Sequence, residues 1–277
     1  SAYQPNKFTS DVLRACIDSY LRINRQNSSL WIVDVGSPNH DFLVKPNEYQ
    51  NINFVISDFV PRSWSGISFR KKLLSKLLLK KKPRNGSYAN GFTLNLGYEV
   101  FQEIQYKPEF IMTLQSDVLF TKRTILEDLI NLFDKDTAAV GVREQLNFGK
   151  KVKILHSLGC LWKNSVLEEL GGDFMPKMPE WDVGEKIINS ALNLGYKTKS
   201  LECTFRGCTN YQKAINKIVD LEVKNLENVD RCINEKGQVI FMHLGRGIEK
   251  SIKAFFKKKL TLQKWENIGL RLLQTQK

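Results

Sequence analysis

A chain of 277 residues, 42% hydrophobic and with a mean hydropathy of −0.32, holds core material for one large domain or two small ones. Its formal net charge of +13 points to an anionic partner, whether nucleic acid, a phosphorylated small molecule or a membrane surface. No run of about eighteen apolar residues is present, which argues against a transmembrane helix, and SAYQPNKFTS lacks the apolar core of a signal segment.

Strands and helices alternate, the pattern of an α/β chain. A helix is expected over residues 10–23, where Val12, Leu13, Cys16, Ile17, Tyr20 and Leu21 share a face and Thr9 or Ser10 can cap. SLWIVDVGS reads as a strand ending in a turn, and NINFVIS as a second strand. Residues 70–84, RKKLLSKLLLKKKPR, crowd basic charge around leucines; they read as a basic loop or helix, with a lie on an anionic bilayer surface as the alternative. A helix over residues 93–104 precedes a third strand, EFIMTL, whose exit is interrupted by Gln115, Ser116 and Asp117.

Next come a helix carrying Ile125, Leu126, Leu129, Ile130 and Phe133, and the apolar run TAAVGV. Ser165 and Glu168 have capping-box spacing, and Gly171 and Gly172 stop the helix they open. A helix over residues 182–194 ends at Gly195, and QVIFMH is an apolar run closing on His243. In residues 249–273, Ile252, Phe255, Trp265, Ile268 and Leu272 are interleaved with lysines. Such a stripe either lies on an anionic bilayer or packs on the domain with its lysines in water. The five cysteines read as buried thiols of a reducing compartment, since Cys203 and Cys208 lack a second Cys/His pair at zinc spacing.

Two carboxylates, Asp34 and Asp117, fall at the carboxyl ends of expected strands, where open α/β sheets bind ligands. Either alone reads as a turn cap. Together they are placed to ligate a divalent cation or hold a ribose hydroxyl.

The order of features resembles the nucleotide-sugar glycosyltransferases of GT-A fold, family 2 in particular. The matching pieces are YQPNKFTSDVLRACIDSYL, WIVDVGSPNHD, YANGFTLNLGYEV, LQSDVLF, HSLGCLWKNSVLEELGGDF and EWDVGEKIINSALNLGYKT, collinear over about residues 3–200. The resemblance implies a Rossmann-like, mixed and mainly parallel sheet flanked by helices, with a basic helical C-terminal extension. Residues 1–245 would form the catalytic domain, with a nucleotide-binding half to about 120 and an acceptor half over 121–245, and residues 246–277 the extension. It implies that Tyr3, Asp34, Gly91, Asn95, Ser116 and Arg246 contact the nucleotide sugar, and that Asp117 and His243 hold Mn2+ or Mg2+. Trp181 would meet the acceptor, and Asp182, with Glu180 as the alternative, would act as the general base of an inverting transfer.

Two departures stand out. Gln115 replaces the first Asp of the family's D-x-D element, and the chain opens at Ser1-Ala2-Tyr3 where relatives have an apolar strand. The partners expected are a nucleotide-diphosphate sugar, a glycan or lipid-linked acceptor and an anionic membrane surface, at a cytoplasmic location with peripheral attachment. No nucleic-acid partner is expected, because the basic runs carry leucines rather than base-stacking aromatics. The competing classes are a nucleic-acid-binding module, a nucleotidyltransferase on a related sheet and a non-catalytic relative.

Overall fold

The computed structural model describes residues 1–25, 27–79, 81–141, 144–146, 153–156, 159–204, 211–227, 229–245 and 255–276. It is a mixed α/β structure. Helix α1 spans Lys7–Leu21 and begins earlier than its apolar face suggests. Asn6 is its cap: the Asn6 carboxamide accepts from the Thr9 N–H, and the Thr9 hydroxyl accepts from the Asn6 N–H. Thr9 is thus the reciprocal partner in a capping box rather than the cap itself.

Strands β1 (Trp31–Val35) and β2 (Asn53–Ser57) pair in parallel. The other edge of β1 receives Ala2, in a parallel bridge with Asp34. The Ser1 nitrogen reaches Leu114 O at 2.8 Å, so residues 1–2 connect the end of β1 to the segment following β3 (Phe110–Thr113). An apolar cavity of about 740 Å³ lies below this link, lined by Trp31 and Val33 of β1, Phe110 and Met112 of β3, and Tyr98 and Phe101.

After α2 (Phe69–Leu74) and a π turn over Ser75–Leu79, helix α3 runs over Gly86–Glu103. It starts well before residue 93 because the Asn85 side chain accepts from the N–H groups of Ser87 and Tyr88, offsetting the poor helix propensity of the glycines that follow. Strand β4 is Val118–Phe120 and helix α4 is Ile125–Ile130. Strands β5 (Thr137–Gly141), β6 (Glu144–Leu146), β7 (Lys153–Leu155) and β8 (Cys160–Lys163) follow.

Helix α5 is Asn164–Glu169, so Ser165 lies inside it and makes no cap; α6 is Glu185–Asn193. Gly184 is the N-cap of α6, in the left-handed region at φ 74°, which leaves Asp182 in the turn before the helix rather than at its start. The remaining elements are β9 (Lys197–Ser200), β10 (Glu202–Cys203), α7 (Tyr211–Lys217), α8 (Leu221–Lys224), β11 (Asp230–Ile233), β12 (Val239–His243) and α9 (Phe255–Thr275).

One four-stranded sheet has the order β3-β8-β5-β9 and another the order β10-β11-β12-β4. The mixed character is as expected, but its balance differs. Parallel pairing among the described strands is confined to β1/β2 and β5/β9, and the other ladders are antiparallel. The chain returns next to itself by short connections such as β11–β12, which antiparallel pairing permits.

The C-terminal helix settles one alternative left open by the sequence. Trp265, Ile268 and Leu272 are buried in a cluster with Leu119 of β4 and Met242 of β12. Gly269 faces Leu119 so closely that a Cβ there would overlap it. The described apolar stripe of α9 is therefore consumed by the core, and the bilayer reading of that stripe is corrected. Cys16, Cys160, Cys203 and Cys232 are buried, as expected, and Cys208 lies outside the described residues. No helix among the described residues is long and apolar enough to cross a membrane.

Candidate active site

The end of β1 is a polar knot. Asp34 is only 5% exposed, and it accepts from Gln4 Nε2 at 2.6 Å and from the Ser37 hydroxyl at 2.5 Å. Gln4 and His40 brace this turn in their own right, through Val44 N–H to Gln4 Oε1 and the His40 ring to Gln4 O. Beside it the Arg84 guanidinium lies 3.7 Å from the centre of the Tyr3 ring and donates to Val35 O at 2.9 Å. Burial lowers the Arg84 pKa from its ordinary value, with Tyr3 and Asp34 opposing the shift. Tyr3, Asp34 and Arg84 thus meet at one strand end.

Asp117 sits where the chain leaves β3 and enters β4. Its Oδ2 lies 3.1 Å from His243 Nε2 and accepts from the Gly245 N–H at 3.2 Å. The other ring nitrogen of His243 faces Asp230 Oδ2 at 3.1 Å. The cause is register: His243 is opposite Asp230 in the β11–β12 ladder and opposite Val118 in the β12–β4 ladder. Burial pulls the His243 pKa down, but the two carboxylates outweigh it and hold the ring at about 9. For Asp117 burial acts upward, and His243 together with the backbone donors brings the net shift below the ordinary carboxylate value.

This arrangement bears on the expected Mn2+ or Mg2+ site. The two nitrogens of His243 face different carboxylates, so one ion on the ring would not meet Asp117 and Asp230 together. Among the described residues no group of three His, Cys, Asp or Glu is set to hold a cation. The expected pairing of Asp117 with His243 is found, at 3.1 Å. Ser116 is half-buried in the same turn, and Arg246 lies outside the described residues.

On the acceptor side the expected contacts divide. Gly91 and Asn95 face the segment 173–176. A Cβ on Gly91 would stand 2.7 Å from Pro176 Cδ and 2.8 Å from Phe174 O. The Asn95 amide donates to Asp173 at 3.2 Å and accepts from the Phe174 N–H at 2.7 Å. Both hold this segment against α3.

Trp181 closes a small hairpin with Lys177, and the hairpin touches the Arg84 region through Met178, which packs on Gly66 and accepts from Ser65. Asp182 is half-buried and fixed: its Oδ1 accepts from the Val183 N–H at 2.8 Å, and its own N–H donates to Glu185 Oε2 at 2.5 Å. Glu180 instead points outward, paired with Lys177 at 2.7 Å and about half exposed, a poor setting for a base.

Two residues escaped the sequence reading. Arg84 was submerged in the basic run, although it stands between Pro83 and the Asn85 cap of α3. Asp230 carries no local signal at all.

No family model matches the chain, and no curated relative matches it. Among solved structures, the mannosyltransferase PcManGT of Pyrobaculum calidifontis, in complex with GDP-Man and Mn2+, aligns at a TM-score of 0.43 and 15% identity. That alignment covers 69% of this chain and 51% of that one, so the chain spans about half the length of the structure it matches.

Proposed function

We propose that the chain is a glycosyltransferase moving a sugar from a nucleotide-diphosphate donor to a hydroxyl of a glycan or lipid-linked glycan. The observation that carries this reading is the meeting of Tyr3, Asp34 and Arg84 at the carboxyl end of β1, tied by residues 1–2 to the turn bearing Asp117. A guanidinium is a permanent cation suited to diphosphate oxygens, and an aromatic face beside it suits a nucleobase. Asp34 keeps acceptor capacity beyond its two present donors and takes a ribose or base N–H or O–H.

Asp182 is the general base. With Oδ1 held by Val183, Oδ2 accepts the acceptor hydroxyl's proton as that oxygen attacks the anomeric carbon, and the nucleoside diphosphate leaves from the opposite face. Trp181 offers its ring to an acceptor sugar. No step is assigned to a metal ion.

The test is nucleotide release from UDP-, GDP- and dTDP-sugars, with and without Mn2+, beside direct binding of each donor. One donor class is expected to bind and turn over. Asp182→Asn should lower kcat by about 100-fold or more with donor binding retained. Arg84→Ala should weaken donor binding about tenfold or more through loss of a charged contact. A wild-type chain that binds none of these donors at millimolar concentration refutes the reading.

A further inference from the structure

The segment after β2 is built inside out. Between Asp58 and Glu99 the sequence contains no acidic residue, while Arg70, Lys71, Lys72, Lys76, Lys81 and Lys82 fall within it. No ion pair among the described residues involves any of these six cations. The apolar side chains interleaved with them are turned to solvent: Phe69 is 77% exposed, Leu77 73% and Leu78 71%. A helix that merely covers a domain does the reverse, burying its leucines and wetting its lysines.

The periodicity explains the exposure. Phe69, Leu73 and Leu77 recur every four residues, as do Leu74 and Leu78, so they form one continuous apolar strip along α2 and the π turn. Ser75 is two residues from both Leu73 and Leu77, hence on the reverse face, and it is the buried residue of the segment at 8% exposure. The segment therefore turns Ser75 inward and offers Phe69, Leu73, Leu74, Leu77 and Leu78 outward. Its base is pinched shut by Arg62 Nη1 donating to Lys82 O and the Ser63 N–H donating to Pro83 O.

We infer that residues 69–79, with the flanking lysines, are a docking face for an anionic lipid bilayer. Leucine and phenylalanine side chains enter the acyl boundary, and lysine and arginine ammonium and guanidinium groups stay at the headgroup phosphates on their flexible stems. A single-stranded nucleic acid fits less well, since the strip carries leucines where base stacking needs aromatic rings. Docking in this way also brings the site to the surface of the bilayer, because the same excursion ends at Arg84 beside Tyr3. The inference rests on residues 69–79, 81 and 82 and stands whatever the site transfers.

The experiment is co-sedimentation of the 277-residue chain with vesicles of phosphatidylcholine alone and of phosphatidylcholine with phosphatidylserine. Partitioning onto the anionic vesicles should exceed that onto neutral ones by about tenfold or more at moderate salt. The double variant Leu77→Ser/Leu78→Ser should lose about tenfold of that partitioning with an unchanged melting temperature, since both side chains are already in water. Lys71→Ala/Lys76→Ala should erase much of the preference for anionic lipid. Equal pelleting on both vesicles, no pelleting on the anionic ones, or indifference to the two leucines overturns the inference. So does an oligonucleotide that binds the leucine variant and the wild type alike and displaces the vesicles.

Discussion

Burial opposes charge at His243, yet the ring stands between two carboxylates that raise its pKa to about 9. Because this folded value lies above the ordinary one near 6.5, its contribution to stability is complete below about pH 6.5 and is lost as pH climbs through about 9. Asp117 works in the opposite sense. Its pKa lies below the ordinary 3.8, so its contribution is complete above that value and is lost only in acid, as pH falls through the lowered folded value. The melting temperature should therefore be level from weakly acidic pH to about 6.5 and then fall by roughly 5 °C as the solution becomes alkaline. His243→Gln should remove that alkaline slope and lower stability in the acidic range. Thermal melts across pH decide it, and a wild-type slope retained in the variant would assign the effect elsewhere. Asp34 and Asp117 were legible in the sequence because a carboxylate ending a buried strand is expensive unless it has work or partners. Asp230 was not, since only the register of β11 against β12 brings it to His243.

At the scale of elements, α3 shows what patterning misses. Its sequence GSYANGFT begins with residues of low helix propensity, so the apolar face becomes visible only later, while Asn85 starts the helix by capping. Gly91 is then a contact and not a flexible point. Pro176 and the Phe174 carbonyl crowd it within 3 Å of a missing Cβ, and neither is the end of a flexible side chain. Gly91→Ala should cost about 1–3 kcal/mol by overpacking. It should also shift the 173–176 segment that leads to Trp181, raising the KM for an acceptor more than that for a donor. A denaturant titration and the two KM values test this, and an unchanged midpoint would mean the segment yields freely. The two basic amphipathic stretches make the complementary point. Residues 69–79 and 255–275 look alike in composition, both mixing lysines with large apolar side chains. One is exposed and the other feeds Trp265 into the core, a difference set by what each lies against rather than by its own sequence.

At the scale of the molecule, the site lies where sheets meet. β3 belongs to one four-stranded sheet and β4 to the other, so the turn carrying Asp117 is the crossing point between them, and residues 1–2 fasten that crossing to β1. Its geometry depends on both sheets holding their places. In the second sheet α9 covers Leu119 and Met242, both at 0% exposure, with Trp265, Ile268 and Leu272. Trp265→Ala removes the largest of these side chains and should cost about 3–5 kcal/mol, a large share of a domain's total stability. Deleting residues 255–277 should go further, leaving the outer face of β4 and β12 in water and replacing the cooperative melt by a broad one. Donor binding should then disappear although no described residue of α9 belongs to the site, because β12 carries His243 and β4 follows Asp117 directly. Calorimetry of the truncated chain separates the possibilities: a sharp melt with donor binding intact would show that the strand crossing stands without its helical cover.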